Sequence, residues 1–195
     1  MTFSRLTLRA VVAASLTAAA PARTATALPA QTPTPVPAAV EADIAFLRNM
    51  TMHHAQAITM SAMVRTHTSR PELLLLAERI EVSQQDEMAV MRRWLEEHGA
   101  RRVTAPDRHG AHTMPGMLSR AQLTQLSAAR DAAFDRLFLR FMIQHHEGAL
   151  QMVATLRRVP GAAHTPMLFQ FVTEIDTDQR AEIRRMQALL SAWSK

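Results

Sequence analysis

The sequence predicts an all-α fold: a four-helix bundle made of two duplicated helical hairpins, with a short lead-in helix in the crossover. Three observations carry this reading. The 195 residues include only 5 glycines, no tyrosine and 5% aromatics, yet 48% are hydrophobic, much of it the Ala, Leu and Met that favour helices over sheets. The chain also repeats itself. A shift of 92 lays residues 43–65 over 135–157 with 11 identities in 23 positions, where chance gives about one or two. A shift of 95 matches Ile80, Gln84, Glu87, Met91 and Leu95 to Ile175, Gln179, Glu182, Met186 and Leu190. Finally, the apolar positions of each repeat step by three and four, the period of a helix face.

In chain order, residues 1–27 read as a secretory signal peptide. Arg5 and Arg9 precede a small apolar run, and Ala25-Thr26-Ala27 supplies a small-residue cleavage pattern. This implies export to the periplasm or the extracellular space. Removing the leader takes three arginines and no acid, so the net charge falls from +5 to +2. The remaining basic residues are interspersed with acids, which disfavours nucleic-acid binding. Residues 28–39 hold four of the prolines and read as an extended, disordered tether. The bundle domain then spans 40–195, with hairpin one at 40–99, a linker at 100–118 and hairpin two at 119–195. No stretch after the leader has the run of about 18 apolar residues that a membrane span needs.

The first helix of hairpin one carries Asp43, Phe46, Met50, His53, Ala57, Met60 and Val64 on one face, and its repeat carries Asp135, Phe138, Met142, His145, Ala149, Met152 and Leu156. Their partner helices show the seams Leu73, Leu76, Ile80, Gln84, Glu87, Met91, Trp94 and Leu168, Phe171, Ile175, Gln179, Glu182, Met186, Leu189. Four such stripes bury one another in a bundle whose hairpins are related by a pseudo-twofold. Gly99 closes the second helix. Ser119, with Gln122 three residues on, caps the lead-in helix. Asp43 and Asp135 read as acidic residues at the starts of their helices.

Polarity on the seams breaks the packing pattern. His53, Gln84 and Glu87 in one half, and His145, Gln179 and Glu182 in the other, stand where packing alone would place Leu or Ile, and burying them unpartnered is costly. His54 and His146 lie beside the seam, one turn beyond Met50 and Met142. Each half thus offers a His pair with methionines at fixed offsets: Met50, His53, His54 and Met60, then Met142, His145, His146 and Met152. The linker offers a second candidate metal site in His109, His112, Met114 and Met117.

The doubled frame Met-x-x-His-His-x-x-Ala-x-x-Met, together with the stretch Met114-Pro115-Gly116-Met117, resembles the domain-of-unknown-function family 305 over roughly residues 40–193. The resemblance implies a ferritin-like bundle, export and an association with copper. Its motif positions here are Met50, His53, His54, Ala57, Met60, Met142, His145, His146, Ala149 and Met152. Thr51-Met52 and Ala55-Gln56 depart from the family's usual residues and leave the His pairs intact.

The donor set leads to the same metal by chemistry. With no cysteine, thiolate sites and disulfides are excluded. Imidazole with thioether suits copper, methionine favouring Cu(I) and histidine accepting both Cu(I) and Cu(II). The Glu-x-x-His pairs of di-iron bundles are absent. Gln84, Glu87, Gln179 and Glu182 would then orient the ligating histidines. No nucleophile elbow or phosphate-binding glycine loop points to an enzyme, and metal-dependent redox activity is the least supported reading. Two functional readings follow. One is an exported metal-binding protein that buffers, carries or sequesters copper, with a copper donor or acceptor protein as partner. The other is a structural or interaction bundle in which Glu87 and Glu182 orient His53 and His145 within a buried polar network.

Overall fold

The computed structural model describes residues 37–100 and 114–193. The expected signal peptide, most of the expected tether, and His109 and His112 of the linker lie outside the described residues. Among the described residues there are five helices and no strand: α1 (Ala38–His67), α2 (Pro71–Glu97), α3 (Arg120–Ala128), α4 (Asp131–Leu156) and α5 (Pro166–Trp193). The hairpins are α1 with α2 and α4 with α5; α1 packs on α4, and the short α3 lies against both. This is the expected bundle with its lead-in helix.

Local chemistry sets the helix ends. Pro71 and Pro166, equivalent residues of the two repeats, open α2 and α5, where a missing N–H costs nothing. Gly99, at φ +68°, ends α2: its N–H reaches the Glu96 carbonyl at 3.2 Å and the Ala100 N–H reaches Leu95 at 2.8 Å, a Schellman closure. Ser119 and Gln122 form the reciprocal capping box of α3 at 3.2 and 2.9 Å. α1 starts at Ala38, so the last two residues of the expected tether are helical.

Burial and long-range partners correct the reading of the two aspartates as helix-start residues. Asp43 and Asp135 lie inside their helices and are buried, and each holds the inter-helix loop of the other hairpin. Asp43 Oδ1 accepts the Ala163 N–H at 2.7 Å, and Ala163 sits at φ +50°. Asp135 pairs with Arg70 at 2.7 Å. Equivalent residues thus lock the hairpins together from both ends, with α1 and α4 antiparallel. The outer pairs Arg65–Glu81 at 2.8 Å and Arg157–Asp176 at 3.7 Å are also equivalents. Being exposed, they contribute little.

Arg70 also lies over the Trp193 ring at 4.5 Å. Replacing Arg70 with Ala leaves the buried Asp135 carboxylate without its partner, so urea unfolding at pH 7 is expected to show a loss of about 2 kcal/mol. Glu81→Ala is expected to change stability by less than about 0.5 kcal/mol in the same assay.

The core is divided. One apolar cluster contains Phe46, Met50, Met91, Ala149, Met152 and Ile175; the other contains Ala57, Met60, Ile80, Phe138, Met142 and Ile183. On every long helix the residues between these clusters are polar: His53 and His54 on α1, Gln84 and Glu87 on α2, His145 and His146 on α4, Gln179 and Glu182 on α5. A polar layer therefore crosses the bundle at mid-height.

Candidate metal centre

The four histidines of this layer are fully buried. His53 and His145, equivalent residues on antiparallel helices, stack with ring centroids 3.8 Å apart and planes tilted by 37°. The pseudo-twofold passes between them, so His53 and His145 meet at the centre of the bundle.

The carboxylates partner the other histidines. His54 Nε2 is 2.5 Å from Glu87 Oε2, and His146 Nε2 is 2.5 Å from Glu182 Oε2. This corrects the expectation that Glu87 and Glu182 would orient His53 and His145. On a helix, adjacent residues point about 100° apart. His53 therefore faces the opposite hairpin while His54 faces the partner helix of its own, where Glu87 stands. Both carboxylates are nearly buried, with side chains 12% and 10% exposed. Ser83 supports Glu87 at 3.4 Å. Partial burial first, then the like charges of Glu87, Glu182 and Glu174, push up the carboxyl of Asp178 on the rim of this layer.

His53 Nε2–H donates to the Pro115 carbonyl at 2.9 Å. The turn that supplies this carbonyl is fixed by residues the sequence reading passed over. Gln56 bonds both the N–H and the carbonyl of Leu118, at 2.7 and 3.1 Å. Gln144 reaches the Gly116 carbonyl at 3.4 Å and is itself bonded by Gln122 at 3.2 Å. A Cβ on Gly148 would collide with the Pro115 backbone, so only glycine admits the turn there. The departure of Gln56 from the family's usual residue was the one signal in the sequence that could have pointed to this clamp.

Several buried polar atoms of the layer have no partner: Nδ1 of His53, His54 and His146, both ring nitrogens of His145, both amide atoms of Gln84, and Oε1 of Gln179. Such groups cost about 1–3 kcal/mol each when left unsatisfied. Burial lowers the His53 pKa to about 3, the Pro115 carbonyl opposing this and the neighbouring His54 and His146 adding to it. Burial, reinforced by the other three histidines and opposed by the nearby His53 backbone, holds His145 well below its ordinary value. Both rings are therefore neutral at pH 7, the form in which imidazole binds a metal.

The methionines divide by distance. Met50 and Met142 stand one turn from His54 and His146. Helix rise sets Met60 and Met152 about 10 Å along the axis from His53 and His145, and all four methionines are buried in the apolar clusters. Of the linker candidates, Met114 and Met117 are half-buried beside Pro115, with Met114 packed on the first cluster. Met91 and Met186 are buried packing residues. The remaining described histidines are separate from the layer: His67 bonds Ser127 and packs on Phe134, His98 stacks on Trp94, and His164 is exposed. Among the described residues no three His, Asp or Glu side chains converge on one point; Glu87 and Glu182 bind imidazole N–H groups and so act as orienting groups.

Residues 43–190 match the domain of unknown function DUF305. The chain belongs to the DUF305 family. Solved DUF305 structures share the bundle. One from Deinococcus radiodurans is 30% identical, with a TM-score of 0.71 over 80% of this chain and 99% of that one. One from Streptomyces coelicolor, described as a candidate secreted protein, is 27% identical, with a TM-score of 0.67 over 77% and 93%. CopM in its Cu(II)-bound form is 31% identical, with a TM-score of 0.64 over 77% and 97%, and it has also been solved with Cu(I) and with silver. No curated protein matches the chain significantly.

Proposed function

We propose that this DUF305 protein is an exported, non-catalytic copper-binding protein that buffers, carries or sequesters the metal through the histidine layer of its bundle. The observation that carries the reading is the set of four fully buried imidazoles with unpartnered nitrogens, repeated across the pseudo-twofold. A purely structural polar layer would be expected to close its own hydrogen bonds. The donors proposed are His53, His54, His145 and His146, with Met50 and Met142 one turn away as the adjacent thioethers; Met60 and Met152 stand about two turns from His53 and His145. The ligand set suits both copper oxidation states, and CopM, of similar fold, is known in Cu(I)-, Cu(II)- and silver-bound forms. The leader at residues 1–27 and the secreted description of the Streptomyces coelicolor relative support export. Among the described residues no helix is long and apolar enough to cross a membrane.

The test is titration of the chain lacking residues 1–27 with Cu(I) under anaerobic conditions and with Cu(II) in air, beside a variant with all four histidines replaced by Ala. The wild type is expected to take up at least one tight equivalent that the variant, still helical by circular dichroism, has lost. Equal uptake by both proteins would move the site to the linker residues His109, His112, Met114 and Met117. No uptake by either would leave the histidines as core chemistry.

A further inference from the structure

Resting on that reading, we propose that the turn at residues 114–118 is a positioning element of the metal centre. It holds His53 as the Nε2–H tautomer, so that this residue offers Nδ1 to the metal, and Gln56 and Gly148 keep the turn in place. A carbonyl oxygen only accepts, so the ring nitrogen 2.9 Å from Pro115 must carry the proton. The other ring nitrogen, Nδ1, is buried with no acceptor to receive a proton. His54 and His146 are likewise anchored through Nε2, to Glu87 and Glu182, with Nδ1 buried and unpartnered. Three histidines thus direct the same ring atom away from their anchors.

The turn also makes the two halves unequal. Gln56 and Gly148 are equivalent residues of the repeats, each three positions after its stacked histidine, and both touch the turn. The turn therefore straddles the pseudo-twofold, and a single segment of chain cannot serve both sides alike. It gives its carbonyl to His53 and nothing to His145, whose two nitrogens both lack partners. His145 is consequently the residue free to bind through either nitrogen, and Gln56 and Gly148 are positioning residues for His53.

Long-range proton–nitrogen correlation spectra of the 15N-labelled chain report ring tautomers directly, and Ag(I) is a diamagnetic probe of the donor atom. The metal-free protein is expected to show protonated Nε2 and unprotonated Nδ1 at His53. Added Ag(I) is expected to shift the Nδ1 signals while Nε2–H persists. Gln56→Ala is expected to weaken the His53 tautomer preference and to lower Cu(I) affinity about tenfold, with helicity retained. Gly148→Ala, which forces the Pro115 backbone away, is expected to do the same more severely. An Nδ1–H tautomer at His53, or Ag(I) shifting its Nε2, overturns the inference while leaving copper binding intact. So does a Gln56→Ala protein that is less stable yet unchanged in tautomer and affinity. If Ag(I) moves none of the four histidines, the functional reading falls and this inference with it.

Discussion

Replacing His145 with Phe is expected to raise the melting temperature of the metal-free protein by about 5 °C and to remove a copper equivalent. His145 is fully buried, and neither ring nitrogen has a partner. Whichever tautomer it adopts, one N–H and one lone pair lie unsatisfied in the core. Phenylalanine keeps a planar ring against His53, where the centroids are 3.8 Å apart, and removes both unpaired groups. Relief of about 2 kcal/mol, offset by some crowding from the larger ring, corresponds to a rise of about 4–8 °C before that offset in a domain of this size. Trading stability for a metal donor is the behaviour of a binding site. A polar network retained for stability behaves in the opposite way. Differential scanning calorimetry in the presence of a copper chelator measures the first effect and titration measures the second; a variant that melts several degrees lower would favour the structural reading.

Acidification is expected to destabilise the metal-free protein steeply from about pH 6.5 downward. In the folded state burial keeps His53 neutral to about pH 3 and His145 neutral well below its usual range, whereas in the unfolded chain both titrate near 6.5. Between these limits the unfolded state binds more protons, so stability rises with pH and is lost as pH falls. Each histidine contributes about 1.4 kcal/mol per pH unit, so the two together remove about 4 kcal/mol by pH 5. That is a large part of the 5–15 kcal/mol typical of a domain, roughly speaking. Asp43 acts with the opposite sign, because burial raises its carboxyl and its protonation in the folded state favours folding as pH falls. Urea midpoints measured from pH 7.5 to 5 are expected to stay nearly level to about pH 6.5 and to fall below it, and a His53→Phe, His145→Phe double variant is expected to flatten the curve. A wild-type midpoint independent of pH in this window would show that the rings are solvated or partnered.

Much of this was legible in the sequence because the chain states its pattern twice. All the stripe residues chosen for α1 and α4 are buried, and the capping box at Ser119 and the closure at Gly99 formed as local chemistry required. These features depend on residues within a turn or two of one another. What the sequence did not yield depends on residues far apart. Asp43 bonds Ala163, 120 positions away, and His53 bonds Pro115, 62 positions away; neither partner is a side chain whose chemistry announces it. The assignment of Glu87 to His53 failed by a single residue. A stripe drawn at three- and four-residue steps admits one of two adjacent histidines, whereas α1 is covered on two sides and buries both.

The central claim is that the histidine layer is where copper binds. Crystals of the chain loaded with Cu(I) or Ag(I), with diffraction recorded at the metal's absorption edge, locate the ion directly. The expected result is anomalous density inside the bundle, in contact with imidazole nitrogens among His53, His54, His145 and His146. Density confined to the 109–117 stretch, or to surface residues such as His164, with the stacked His53 and His145 rings undisturbed, would contradict it.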